Sequence, residues 1–583
     1  MTGSVVQVNG MTVDSMAQDI SQFWSTWDNQ RAEWKKEKRE LRNYLFATDT
    51  TTTSNSDLPW KNSTTLPKLT QIRDNLHSNY LSGMFPNDDW LRWEAYSQDD
   101  AEKSKAANLE AYMKNKTRES NMRTTVSELL LDYIDYGNAF ATVEYEHKTT
   151  TVDGEENVVY SGPVMQRIHP VDIVFNPLAR KFEQTPTVVR SLMQLGEFVQ
   201  WGQDNPEAAD EAVIQKVLNN RSAGSTSGVQ KEDTDKSEGI AVDGFGSYQE
   251  YLRSGVVEVL TFQGDYYDGV TQKLHRNRKI SIVDRAFVLQ DEEIPSWSGR
   301  TIFHTGWRLR PENLWAMGPL DNLVGMQYRI DHLENLKADV FDLIAHPVLK
   351  IIGDVEDFSW RPGESIHIDD PQLGDVQLLS PDTQALNADF QIKQLEDRME
   401  LYSGAPREAM GIRTPGEKTA FEVSQLANAA GRIFQEKLTN FEINLLEPAL
   451  NAMLETARRN LDTTDVVRVM DDDLGITEFL TITKDDITAK GKLRPIGARH
   501  FATQSKMMQE LTQLYSTSLG QMLVPHTSVK NLSKTVEDIL GLERFDIFTP
   551  NIGLMEQAET AQVQQELQSE LQVQEQIPVE PQG

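Results

Sequence analysis

The side chains best suited to chemistry in this chain are carboxylates. Asp471-Asp472-Asp473 and Asp485-Asp486 gather acidic groups over a short span, and carboxylate oxygen is the donor that hard divalent cations take in metal-dependent hydrolases and nucleases. Both runs fall in or beside turns, where acidic side chains are ordinarily solvated. A solvated turn is therefore the plain reading, and a metal-dependent hydrolase or nuclease the alternative. Gly224-Ser225-Thr226-Ser227-Gly228 has the outline of a nucleophile elbow, but Thr226 sits at its centre, in a stretch poor in apolar residues. Gly491-Lys492 is followed by Leu493 and lacks the earlier glycine of a phosphate-binding loop. The ten histidines are scattered, with no His-Glu-x-x-His pair. With no cysteine, disulfides, thiolate metal sites and a cysteine nucleophile are excluded. No catalytic residue, resident metal or cofactor is expected.

The elements around these residues must then account for the chain. At 583 residues it is too long for one small core, and two to four structural units are expected. Hydrophobic residues make up 38% and charged residues 25%, a globular balance. No apolar run approaches the roughly 20 residues that span a bilayer, so no membrane partner is expected. The start, MTGSVVQVNGMTVDSMAQD, lacks the basic flank and apolar core of a signal peptide, which fits a reducing cytoplasm. The net charge is −32. Phosphate affinity comes from clustered Lys and Arg, so this charge reads either as solubility or as a surface past which DNA moves without being held.

Met16 to Leu45 reads as one helix, with Ile20, Phe23, Trp27, Trp34 and Leu41 at helical spacing. Leu66 to Met84 is a second, and Ala101 to Tyr136 holds one or two more, ending at Gly137-Asn138. Extended pieces follow at Ala139–Tyr145, Asn157–Tyr160 and Gln166–Phe175, then at Val256–Tyr267, Lys279–Val288 and Thr301–Leu309. Ser222 to Gly239 reads as a mobile loop. Phe479–Ile482 and Ile487–Ile496 look extended, Ser505–Leu519 helical, and the Gln- and Glu-rich end from Glu556 disordered.

The most organised stretch runs from Gly318 to Asn460. Gly318-Pro319 opens a helix, Pro being tolerated in the first turn. Leu323, Met326, Ile330, Leu333 and Val340 follow a three-four spacing, a coiled-coil-like seam. Pro347 stops that helix. Short strands at Val348–Ile352, Ser365–Ile368 and Val376–Leu379 make a small β unit, and Leu386 to Tyr402 is again helical. Ser403 to Pro415 holds two Gly and two Pro and cannot continue a helix. Thr414-Pro415-Gly416-Glu417 caps a long rod, which Pro448 kinks or splits.

Lys418-Thr419-Ala420-Phe421-Glu422-Val423 resembles the signature that opens the tunnel helix of tailed-bacteriophage portal proteins, the head-to-tail connectors, in a podovirus-like form. Trp315-x-x-Gly318, Gln327, Leu333-x-Asn335, the Pro347 exit, Asp135-Tyr-Gly-Asn-Ala-Phe-Ala-Thr-Val-Glu-Tyr145 and His169-Pro170-x-Asp172-Ile173 also look like portal elements. Their order covers roughly Met122 to Asn460, with Thr419, Glu422 and Val423 as the tunnel-helix signature.

The resemblance implies a mainly α fold with α+β parts. It assigns 1–318 to a wing of N-terminal helices plus a β-rich part, 319–346 to a first stem helix, 347–385 to a small β-containing clip and 386–402 to a second stem helix. It assigns 403–415 to a channel loop, 416–460 to a long kinked tunnel helix, 461–500 to wing return strands, and 501–583 to a helical crown with a disordered tail. It further implies a structural, non-enzymatic homo-oligomer of twelve subunits at one capsid vertex, the head–tail junction of the virion. Double-stranded viral DNA passes through such a ring, and its other partners are the terminase, major capsid and scaffolding proteins and a tail adaptor. The stem seam Leu323, Met326, Ile330, Leu333 and Val340 then lies between subunits. Arg407, Arg413 and Lys418 form a thin basic band that either faces DNA or pairs with neighbouring acids.

Overall fold

The stretch from Met16 to Leu45, expected as one helix, is two: α1 (Val13–Gln30) and α2 (Ala32–Phe46). Arg31 breaks it. Its backbone leaves the helical region (φ −104°, ψ 12°), and its buried guanidinium donates to the carbonyls of Pro170 (2.7 Å), Ile173 (2.9 Å) and Val171. The same group lies over the rings of Trp34 and Trp315 at 5.9 and 5.2 Å, while Asp28 takes two of its N–H groups. A helix turn is given up to satisfy a buried cation, which is costly to leave unpaired.

The computed structural model describes residues 5–8, 13–57, 61–85, 90–95, 100–152, 155–204, 211–222, 256–294, 301–346, 348–352, 375–379, 386–403, 433–461, 464–471, 476–483, 487 and 491–495. All lie in the unit Met1–Pro495. The loop expected at Ser222–Gly239 falls, apart from Ser222, outside them, as do the Ser505–Leu519 helix and the C-terminal tail. Among the described residues the chain is a mixed α+β structure, with no helix long and apolar enough to cross a membrane.

After α1 and α2 come α3 (Lys68–Met84), α4 (Asp100–Glu119) and α5 (Met122–Asp135), preceded by β1 (Val6–Val8) and interrupted by β2 (Leu91–Ala95). A long antiparallel hairpin, β3 (Asn138–Val152) and β4 (Glu155–Ile168), forms a three-stranded sheet with β10 (Ile302–Gly306) in the order β10-β3-β4. Pro170 turns the chain through a 3-10 turn into β5 (Ile173–Phe175). The larger sheet runs β5-β6-β7-β8-β9, with β6 (Thr187–Gln194), β7 (Val256–Asp268), β8 (Lys273–Val283) and β9 (Phe287–Glu293) all antiparallel. Helices α6 (Leu195–Asp204) and α7 (Glu211–Ser222) lie between β6 and β7 in sequence.

One face of the larger sheet packs on α1. Ile20, Trp24 and Trp27 bury against Val188, Leu260, Phe262, Ile280 and Ile282, the helical period of α1 meeting the two-residue period of the strands. The β6–β7 pairing ends at Thr187 and Gln263, after Pro186, which has no N–H to donate, and Gly264, at φ +145°, is required beside it because a Cβ there would meet Pro186 Cα at 2.8 Å. Beyond it β1 pairs in parallel with Tyr266–Asp268.

The short strands β11 (Arg308–Arg310) and β12 (Asn313–Met317) lead to α8 (Val324–Ala345), which starts later than Pro319 because 319–323 form turns. An antiparallel pair, β13 (Val348–Ile352) and β14 (Asp375–Leu379), separates α8 from α9 (Ala388–Tyr402). Helical residues 433–441 pass through a π-helical turn, Glu442–Leu446, into α10 (Glu447–Asn460). The widened turn absorbs the N–H missing at Pro448, so the expected kink takes the form of a π turn. The hairpin β15 (Thr464–Asp471) and β16 (Ile476–Thr483) follows, and β17 (Gly491–Pro495) pairs with β2.

Candidate functional site

The two helices α8 and α9 with the β13–β14 pair form an arm whose inner and outer surfaces differ. Leu323, Ile330, Leu333 and Val340 are buried within this one chain, and Met326 is half-buried. The seam expected between subunits is thus occupied inside the protomer, leaving little surface for a second copy. Lys337, which interrupts that seam, reaches Asp389 at the start of α9 (2.8 Å) and Glu334 (2.7 Å).

A second line on α8 is polar, buried at Gln327, Asp331 and Asn335 and half-buried at Asp339. Gln327, Asp331, Asn335 and Asp339 recur every four residues, one face of a helix. Asn335 accepts from Thr64 N and donates to Thr64 O, both at 2.7 Å. Asp331 accepts from Leu66 N and Thr65 Oγ1, each at 3.0 Å. Gln327 donates to Leu66 O and accepts from Leu69 N. Asp339 accepts from the backbone N–H groups of Lys61 and Asn62, and the Asn62 amide also reaches Asp342. The strap 61–69 therefore finds its hydrogen-bond partners on helix side chains where a sheet would supply them by backbone. Lys68 extends the hold to α9 through Glu400 (2.5 Å). Burial pushes the Asp331 carboxyl up to about 6 against the pull of its three donors.

The root of the arm is equally closed. Gly137, at φ +72°, ends α5 in the left-handed conformation, and a Cβ there meets Gly318 N at 2.4 Å. Asn138, fully buried, donates to Tyr136 O and Ala316 O and accepts from Ala316 N, each at 3.0 Å. Its Oδ1 also faces His304 Nε2 at 3.1 Å. Burial pushes the His304 ring down to about 3, so it is neutral and Nε2 is the donor. Lys38 pairs with Asp321 just before α8 and donates to Asp135 O, and Arg73 grips the Asp135 carboxylate at 2.7 and 2.8 Å.

Much of the rest of the arm is exposed among the described residues. Among the described residues nineteen large hydrophobic side chains are exposed, and nine lie on the arm: Leu336, Phe341, Leu343 and Ile344 on α8, Ile351 and Ile352 on β13, and Phe390, Leu401 and Tyr402 on α9. Phe390 is 75% exposed and Phe341 53%. Single exposed apolar residues are ordinary, whereas a concentration of them marks a contact surface.

Chemistry is harder to find. A cleft of about 960 Å³ separates the two sheets, but its Arg167 and Arg190 are committed to Asp132 and Asp172. His77 Nε2 stands 2.9 Å from Ser127 Oγ, a pairing the sequence reading missed because the two residues are 50 apart. Asp135 is gripped on both oxygens by Arg73, leaving the pair without an orienting carboxylate. Among the described residues no three His, Asp or Glu groups converge to hold a metal. Asp471 ends β15, whereas Asp472, Asp473, Asp485 and Asp486 lie outside the described residues, as does the Gly224–Gly228 run. Arg407, Arg413, Lys418, Thr419, Glu422 and Val423 also lie outside them. The chain matches no family model and no curated protein.

Proposed function

We propose that this chain is a structural subunit of a podovirus-like portal ring, twelve copies around a channel at the capsid vertex of a tailed bacteriophage. The observation that carries this reading is the arm of α8, the β13–β14 pair and α9, closely packed at its root around Gly137 and Gly318 and bearing, among the described residues, nine exposed large apolar side chains. Such a surface calls for another protein surface, and repetition of one subunit around an axis supplies it. In this reading α8 and α9 are the paired stem helices and β13–β14 belongs to the clip, the docking point for the terminase during packaging and for a tail adaptor afterwards. Capsid and scaffolding proteins surround the wing. The net charge of −32 keeps DNA weakly held as it moves through the lumen, with Arg407, Arg413 and Lys418 as a basic band there.

Native mass measurement with negative-stain imaging of the purified full chain tests the proposal. Closed rings are expected. A monomer at every concentration and salt would overturn it.

A further inference from the structure

One corner of the chain separates two strand edges. Pro170, which has no N–H to donate, turns the chain out of β4 and into the three residues of β5. The turn is pinned from two directions. Arg31 takes the carbonyls of Pro170, Val171 and Ile173, and Arg190 of β6 donates twice to Asp172, at 2.9 and 3.1 Å. Past this corner β4 and β6 do not pair, and the cleft of about 960 Å³ lies between the sheets they belong to.

The way each strand meets the cleft differs. From β7 every second residue lines it, Val259, Thr261 and Gln263, which is a sheet met on its face. From β4 and β6 consecutive residues line it, 164–168 and 189–193, which is a strand met along its edge. Among the described residues β4 pairs with β3 alone, and beyond Val189 β6 pairs with β7 alone. Alternate residues of each strand therefore point an N–H and a C=O away from that one partner, and no other backbone group among the described residues meets them. The charges of the lining are nearly balanced. Arg167, Arg190 and Lys279 are answered by Asp132, Asp172 and Glu292. Glu128 and Glu144 are exposed and make no ion pair among the described residues, so two carboxylates are left over.

We propose that this cleft takes an extended segment of another protein as an added strand, with lysine or arginine among its side chains. Unpaired strand edges are answered by extended backbone, which offers donors and acceptors at the same spacing. A five-residue stretch of edge is about 17 Å long, enough for several main-chain bonds. The two leftover carboxylates select a cationic segment and steer its approach. Because the corner is pinned by Arg31 and Arg190, both edges stand ready before the segment arrives, which lowers the ordering cost of binding. The proposal holds whether or not the chain forms a ring.

The test uses the full chain and one probe, the end-blocked heptapeptide Val-Lys-Val-Thr-Val-Lys-Val. With peptide at about ten times its dissociation constant, those amides of 164–168 and 190–193 that exchange freely in the protein alone are expected to slow about tenfold. The same peptide N-methylated at every second residue, in either register, lacks edge donors and is expected to bind about tenfold more weakly or worse. Glu128→Gln with Glu144→Gln, both at exposed positions, is expected to weaken the unmethylated peptide at least about threefold at low salt. No slowing at either edge with peptide at about 1 mM, equal binding of the methylated peptides, or binding indifferent to the double variant overturns the proposal. So does protection of both edges before peptide is added: a second copy fills the cleft if that protection rises with protein concentration, and a segment of this chain fills it if not.

Discussion

The two ends of α8 teach different lessons about what its residues are for. From Leu323 to Val340 two lines of the helix are enclosed, with Leu323, Ile330, Leu333 and Val340 inside the chain and Gln327, Asp331 and Asn335 matched to backbone groups of the strap. From Phe341 to His346 every residue is exposed, and three of the six are large and apolar. At the first end those two lines are buried without another molecule. At the second, the apolar surface is exposed among the described residues. Folding information therefore concentrates near the root, and information for association near the tip.

Substitutions can break or sharpen that contrast. The largest effect is expected at the root, from Gly137→Ala. The left-handed backbone and the 2.4 Å approach to Gly318 N together cost about 3 kcal/mol or more, read as loss of folded protein on expression or a much lower melting temperature. Asn335→Ala removes both partners of Thr64 and is expected to cost about 2–4 kcal/mol. Hydrogen exchange should accelerate first at the Thr64 and Leu66 amides; acceleration spread evenly over the whole chain would count against a local ladder.

A pH experiment probes the same root. The His304 ring titrates near 3 in the fold, against about 6.5 for a free ring. Between those values the unfolded chain binds the extra proton, so stability is lost as pH falls from about 6.5 toward 3. His304→Phe should abolish this component, flattening the decline between pH 6 and pH 4 by about 2–3 kcal/mol. An unchanged slope in acid urea titrations would mean that the ring accepts a proton in place. The smallest effect on folding is expected at the tip: Phe341→Ser with Ile344→Ser should shift stability by no more than about 0.5 kcal/mol while raising the concentration needed for assembly. A large fall in melting temperature would show that these residues serve the protomer.

The regular elements were largely legible because periodicity reports burial. The short strand Val348–Ile352 and the helix ending at Tyr402 agree with the reading to the residue or nearly so. Three features were not legible, each for a physical reason. The break at Arg31 depends on carbonyls about 140 residues away. The seam was read correctly as apolar, but periodicity says which face is buried and never by whom. The polar ladder was visible only as polar residues at every fourth position of α8, a pattern that an exposed face shares. Gln327 and Asn335 stood out through family resemblance, and their partners in the strap did not.

The strap itself has a consequence for how this protein tolerates change. At Thr64 and Leu66, α8 reads the strap through backbone N–H and C=O groups, which every residue except proline offers alike. Substitutions should therefore fall unequally on the two partners. Most replacements at Thr64 and Leu66 leave the attachment intact, whereas proline deletes a rung. Almost any replacement at Gln327, Asp331 or Asn335 removes one. At these two positions the specification sits on the helix, whereas Asn62, Thr65 and Lys68 contribute side chains of their own, and a library of variants across 61–69 and 327–339 would display that asymmetry directly.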